Sequence, residues 1–437
     1  MFPKARKNKQ SIYLDYAATT PVDSAVVKAM APFWSNTFGN PSSLYEQGRE
    51  ARVAVESSRK RIADIIGAKP SEIIFTSGGT ESCNLAIFGI ARMSTNFKTN
   101  KHGLAPHIIV SAIEHHAVLN SVEALRGEGY AVTLLDVDSE GFVDIKNLQK
   151  AIQPETILVS IMYTNNEIGT IEPIAEIGKL LKQINTNRLQ NKLTRILFHT
   201  DACQAAGSLD LSVDLLGVGL MSVNGSKIYG PKQSGFLFVR NGINLKPLIF
   251  GGGQERNIRS GTENVPGIVG LAKALEISEK EKKLGNWEIG KLQEYFISKL
   301  LKIPGVKLNG PDPCHCEEAG ALAGRRGNLP MNEIASDALE MTDVHRLPNN
   351  INVTIKGVEG EALMFYLDSY GIAVSTGSAC STGSLDASHV LLAIGRSQKD
   401  ARSSIRFSLG KTTTKADLDY VLEVLPGIVA EMRKIKK

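Results

Sequence analysis

The sequence predicts an α/β protein: a large, mainly parallel seven-stranded sheet followed by a smaller α+β unit. Three observations lead there. Between about residues 60 and 240, seven short apolar runs alternate with helical patterns. The runs are continuous and rich in β-branched residues instead of alternating, as strands covered on both faces should be. Near residue 270 the pattern changes to a long helix, an irregular stretch and a few short strands.

Taken in order, residues 1–10 carry four Lys/Arg and no acid, with neither the apolar core nor the small-residue cleavage site of a secretory signal. Segment 1–20 is expected to pack with the smaller unit. The sheet strands are expected at 73–75, 108–110, 132–135, 157–161, 196–198, 220–223 and 236–239, with helices such as 83–92 and 174–184 between them. Residues 268–301, rich in Lys, Glu and Leu, read as a long helix hinging the two units. Residues 311–348 read as an irregular surface insertion. Short strands at 352–355, 373–374 and 405–408 and a closing helix from Lys415 complete the chain. The expected division is 21–280 for the large domain and 281–437 for the small one.

The net charge of +5 comes from the two ends. Residues 432–437 carry four more basic groups, and the remaining body has 42 basic against 45 acidic residues. No basic stripe that would track a phosphate backbone is left, so nucleic acid is not an expected partner. No apolar run approaches the ~18–20 residues that span a bilayer. No membrane is expected as a partner, and a cytoplasmic address is. Five cysteines, an odd number spread along the chain, argue against a disulfide framework.

The residues just beyond each strand carry the chemistry. Glu114-His115-His116 comes after the second run, Asn165-Asn166-Glu167 after the fourth, Asp201 and Gln204 after the fifth, and Asn224, Ser226 and Lys227 after the sixth. In open α/β sheets the ligand lies beyond the carboxyl ends of the strands, so four strands aim polar groups at one edge. A lysine, an aspartate, a histidine and an anion site together suit pyridoxal phosphate. Its aldehyde condenses with a lysine, its ring nitrogen needs a carboxylate, and its flat ring needs a stacking surface. TSGGTES at 76–82 supplies the anion site: Gly78 and Gly79 allow close approach, and the next helix presents free N–H groups.

Cys380 stands in STGSACSTGS at 375–384, a Ser/Gly-rich loop with nothing to bury a thiol, which favours a chemical role. Cys83 and Cys203 read as packed. Cys314-His315-Cys316 is too tightly spaced to close a tetrahedral site and has no second pair, so no metal is expected.

Ten segments in order, YLDYAATTP (13–21), FGNPSS (38–43), TSGGTES, EHHAVL (114–119), NNEIG (165–169), DACQAAG (201–207), GSKIYGPK (225–232), GGGQERNIRSGT (251–262), STGSACS (375–381) and SIRFSLG (404–410), resemble cysteine desulfurases of the NifS/IscS type. These belong to the class V aminotransferases, fold type I among pyridoxal-phosphate enzymes. The resemblance implies that Lys227 is the cofactor's lysine and moves the α-proton, and that Asp201 pairs with the ring nitrogen. It places His115 on the ring as a stacking and proton-relay group, with Gln204 and Asn166 bonding cofactor or substrate. Gly79, Thr80, Asn224 and Ser226 would hold phosphate, and Thr262 would reach the phosphate of the opposite subunit of a homodimer. Asn40 and Arg406 would hold the carboxylate of L-cysteine, with Asn166 the third substrate-binding residue. Cys380 would take the sulfur as a persulfide and pass it to an acceptor protein, an iron–sulfur scaffold or a tRNA-thiolation relay. Where the family usually has Ser-Gly-His-Lys, this chain has Asn224-Gly225-Ser226-Lys227, which removes one group able to carry positive charge. A selenocysteine lyase or other class V lyase, and a non-catalytic partner subunit, are the alternative readings.

Overall fold

The computed structural model describes residues 11–94, 105–313, 345–377 and 387–435. All seven expected strands of the large sheet are present: β2 (Ile73–Thr76), β3 (His107–Ser111), β4 (Ala131–Leu135), β5 (Thr156–Ser160), β6 (Leu197–Asp201), β7 (Leu220–Asn224) and β8 (Gly235–Val239). A short β1 (Ile12–Tyr13) precedes them. The sheet order is β2-β8-β7-β6-β5-β3-β4. Pairs β3–β4, β3–β5, β5–β6 and β6–β7 are parallel, and β8 is antiparallel to both of its neighbours. β2 therefore runs in the same direction as β7, and its carboxyl end meets those of β3, β5, β6 and β7 at one edge.

The unbroken apolar runs have the physical cause expected of them. Alternate residues of one strand enter different cores: Ile109 and Val159 pack on one face of the sheet, Ile108, Val110 and Leu158 on the other. Only β4 is largely uncovered, as suits a sheet edge. The opposite edge, β2, is buried, and side chains take its outward backbone groups. Arg59 Nη1 donates to Ile73 O (2.9 Å), and Glu255 Oε2 accepts from Phe75 N–H (2.9 Å).

A helix of 36 residues, Val265–Leu300, runs from one core into another. Its first half, from Val265 to Leu275, packs against the large sheet; Phe296, Ile297 and Leu300 pack in a separate cluster. It starts three residues before the sequence-based start because Pro266 sits in its first turn, where a missing N–H costs nothing. The second cluster covers the antiparallel sheet β12-β10-β9, built from β9 (Val306–Leu308), β10 (Asn350–Ile355) and β12 (Ser404–Ser408). Helices Gly360–Ser369 and Lys415–Ile435 contribute to it. β1 pairs in parallel with β11 (Ile372–Ala373), and Ile12 and Leu14 join the same cluster. Most of segment 311–348 lies outside the described residues, but its flank is not a surface loop. Arg346 is fully buried, its guanidinium donating to the carbonyls of Pro311 (2.6 Å), Asn350 (3.1 Å) and Asn309.

Candidate functional site

Asp201 is the last residue of β6 and is buried. Its Oδ1 accepts from Cys203 N–H (2.9 Å) and its Oδ2 from the Cys83 thiol (3.5 Å). Both thiols are buried, and burial, reinforced by the Asp201 charge, pushes them well above the ordinary thiol value. They are neutral S–H groups at physiological pH.

Lys227 ends a short 3₁₀ turn, Gly225–Lys227, that β7 runs into. Asn224 caps that turn, its Oδ1 accepting from Ser226 N–H (3.2 Å) and Ser226 Oγ (3.1 Å). The lysine is half-buried, and its Nζ donates to the carbonyls of Ala17 (2.8 Å) and Ala18 (2.6 Å). Gln204 Nε2 donates to the same Ala17 carbonyl (2.9 Å). The segment after β1 thus delivers backbone acceptors to the amine, and Thr20 ties it down by donating from N–H and Oγ1 to Ser226 O (2.9 and 3.0 Å).

His115 stands just before helix His116–Gly127 and caps it with its ring: Nδ1 accepts from Ala117 N–H (3.1 Å). That bond leaves Nε2 as the proton-carrying nitrogen. Burial lowers the imidazole's pKa; Asp201 opposes the shift, and Lys227 adds to it. The ring is therefore neutral near pH 7. Next to it, Glu114 is fully buried, with Oε1 accepting from Met162 N–H (2.5 Å); burial first, then the Asp201 charge, raise its pKa well above the usual carboxyl range.

The turn after β2 tests whether a phosphate fits. Helix Gly79–Ala91 begins there with Gly78 as its cap, at φ 142° and without a side-chain cap bond. First-turn N–H groups have no partner inside a helix, and the dipole makes the same place electropositive. A Cβ on Gly79 would come within 2.5 Å of Cys203 Sγ, so any larger residue in this closely packed turn would force a shift. The Asn224 side chain packs against both Gly78 and Gly79, and its Nδ2 is a further donor. Amine, carboxylate, neutral imidazole and uncapped helix start match the aldehyde, ring nitrogen, ring face and phosphate of pyridoxal phosphate. Thr80 is exposed one residue into the helix. Thr262 is exposed at the rim of a cleft shared with Thr76, Ser77 and Arg259. Arg259 Nε donates to Glu81 Oε1 (2.9 Å), whose other oxygen accepts from Ser77 N–H (2.8 Å) and Oγ (2.5 Å), so the Thr262 loop is braced against the glycine turn.

Arg406 comes from β12 and is buried. Its Nη2 forms an ion pair with Asp15 Oδ1 (2.7 Å), and its Nη1 donates to Asn166 O (3.0 Å). Its Nε is buried without a partner among the described residues. The structure brings Arg406 and Asn166 together. Asn40 lies on an exposed turn, its Oδ1 accepting from Ser42 N–H (2.9 Å). Cys380 lies outside the described residues.

Sequence reasoning passed over four participants. Asp15 sits inside the quoted YLDYAATTP segment, but nothing in the sequence ties it to Arg406, 391 residues away. Ala17 and Ala18 act through their carbonyls, which no side chain announces. Cys83 reads as packing but also touches Asp201.

Comparison with known proteins agrees with this geometry. The family model described as aminotransferase class-V matches residues 12–322 and 331–421. The cysteine desulfurase IscS of Dictyoglomus turgidum is 47% identical over 429 residues, 98% of this chain and 96% of the relative. That of Methanosarcina thermophila is 44% identical over 426 residues, 98% and 94% of the two chains. A solved NifS-like protein superposes with a TM-score of 0.81 at 34% identity, covering 97% of this chain and all of its own. With a family match across most of its length and a strand-end site suited to that family's cofactor, the chain belongs to the class V aminotransferases.

Proposed function

We propose that the chain is a pyridoxal-phosphate-dependent cysteine desulfurase that converts L-cysteine to L-alanine and hands the sulfur on from a persulfide on Cys380. The observation that carries this reading is the convergence at one sheet edge of Lys227, Asp201, His115 and the uncapped Gly79–Ala91 helix. The IscS-named relatives, at 44–47% identity, support the same substrate.

When bound, the cofactor supplies an electrophilic carbonyl carbon and an electron sink that loosens bonds at the substrate's α- and β-carbons. The protein does the rest. Asp201, fixed through both oxygens, keeps the ring nitrogen protonated. The Gly78–Gly79 turn, Thr80, Asn224 and Ser226 hold the phosphate. Gln204 and His115 orient the ring, and Asn166, Asn40 and Arg406 take the substrate carboxylate. Lys227 Nζ, released from the Ala17 and Ala18 carbonyls, moves the α-proton. The Cys380 thiolate attacks the substrate sulfur: an S–S bond forms as the substrate's Cβ–S bond breaks, and the carbon keeps the electron pair and takes a proton to become the methyl of alanine. In a homodimer, Thr262 reaches the phosphate held by the second copy. An acceptor protein serving iron–sulfur cluster assembly or tRNA thiolation removes the sulfur in the cytoplasm.

The test is the absorption spectrum of the purified protein before and after L-cysteine. A near-visible band that changes on addition, with alanine and sulfide appearing under a reductant, supports the reading. A protein that stays colourless with added pyridoxal phosphate overturns it. Lys227→Ala should bind the cofactor yet form alanine at least about a thousandfold more slowly, because a general acid–base and nucleophilic group is lost together.

A further inference from the structure

Beneath the site, on the same sheet, lies a buried polar row that the proposed chemistry does not use. Ser160 Oγ is 2.8 Å from His199 Nδ1, and His199 Nε2 is 2.9 Å from Ser222 Oγ. Each of these three residues is fully buried. Beside this row the fully buried Cys83 thiol donates to Asp201 Oδ2 at 3.5 Å. Three neighbouring strands, β5, β6 and β7, and the helix Gly79–Ala91 supply the members.

A carboxylate can only accept, so the Cys83 S–H donates to Asp201. His199 stands two residues before Asp201 on β6, and hydroxyls of the two flanking strands hold both of its ring nitrogens, so the strand end that presents the carboxylate is pinned in a dry interior.

We infer that Cys83 is a positioning residue: its thiol fixes the Asp201 carboxylate, at the end of a strand pinned by the Ser160–His199–Ser222 row, for the ring nitrogen of the cofactor. This rests on the role given to Asp201 above. A structural thiol that merely fills space would make no directed bond, and its replacement by any residue of similar size would be equivalent.

The infrared S–H stretch falls where proteins otherwise barely absorb, and it drops in frequency when the thiol donates. It is read on the protein purified with pyridoxal phosphate. Subtracting the Cys83→Ser spectrum assigns the band. The band is expected at lowered frequency, moving up on Asp201→Asn. A band at the position of an unbonded thiol, or one that Asp201→Asn leaves in place, overturns the inference. The second readout is the dissociation constant of pyridoxal phosphate. Cys83→Ala should raise it about fivefold, the weight of one modest hydrogen bond, while Cys83→Ser, which can still donate, stays within about twofold of the parent. Equal loss in both variants reduces Cys83 to packing. If Cys83→Ala does not fold, the band in the parent protein still decides. A chain that never bound the cofactor would defeat the proposed function yet leave the S–H band readable, so the two failures are separable.

Discussion

Asp201 and Arg406 are both buried charges in one site, and the molecule holds them in opposite ways. Asp201 is satisfied locally, by the N–H two residues ahead and by a thiol on the helix packed against its own sheet. Arg406 is held at long range, by Asp15 and by the Asn166 carbonyl, 391 and 240 residues away in sequence. The Asp201 carboxylate is therefore fixed within the large sheet and the helix packed on it. The proposed substrate half is a seam between two cores, where Asp15 occupies the guanidinium proposed above to take the substrate carboxylate. Pre-organisation is complete on one side of the site, and on the other an internal anion must be displaced or shared.

The most severe way to break this comparison is Arg406→Lys. The planar fork that grips a carboxylate through two bonds becomes a point charge, and kcat/KM for cysteine should fall about a hundredfold, with KM carrying most of the change. An unchanged KM would place the substrate carboxylate elsewhere.

The cofactor half should yield to acid. Burial holds His199 down at about 4, against an ordinary value of 6.5. Between those pH values the unfolded chain binds a proton that the folded chain refuses, so stability falls as the pH drops from 6.5 towards 4, by about 3 kcal/mol at most. Glu172, pushed up to about 8 by burial, slopes the other way: its contribution is full below about 4.5 and is lost as the pH rises towards 8. Denaturant midpoints of the parent and His199→Gln across pH 4–7 separate the two, because only the difference between the proteins carries the imidazole. A difference that does not vary with pH refutes the assignment.

Gly79→Ala tests how tightly the phosphate turn is built. The new methyl collides with Cys203 Sγ, which should cost about 2 kcal/mol of stability and loosen the cofactor. Cys203→Ala should recover most of that loss in the double variant. A double variant no better than Gly79→Ala would mean that the constraint comes from the backbone and not from the sulfur.

The smallest expected effect is the most discriminating. Asp15→Asn removes the internal competitor, so the substrate-free protein should lose about 1–3 kcal/mol while KM for cysteine falls a few-fold. A raised KM would mean that Asp15 aims Arg406 and does not compete for it.

The same contrast explains what the sequence could tell. Lys227, Asp201 and the glycine turn were legible because each comes directly after an apolar run, and strand direction alone puts strand ends together. The start of the long helix was missed by three residues because Pro266 reads as a breaker but sits where a helix tolerates it. The Arg406–Asp15 pair was illegible, since no periodicity links residues 391 apart. Cys83 looked like packing because burial and hydrogen bonding write the same letter into a helix.

The stretch from β1 to Thr20 has a consequence for how the protein is made. Among the first described residues to leave the ribosome, it cannot find its partners until far more of the chain has emerged. Lys227 must emerge to meet the Ala17 and Ala18 carbonyls, β11 to pair with β1, and Ser408 to bridge Asp15. At about 5–20 residues per second, that segment waits roughly 20–80 seconds with apolar Ile12 and Leu14 uncovered. The site is consequently one of the last things the nascent chain completes, and a truncated product that folds most of its large sheet would still lack a finished active site.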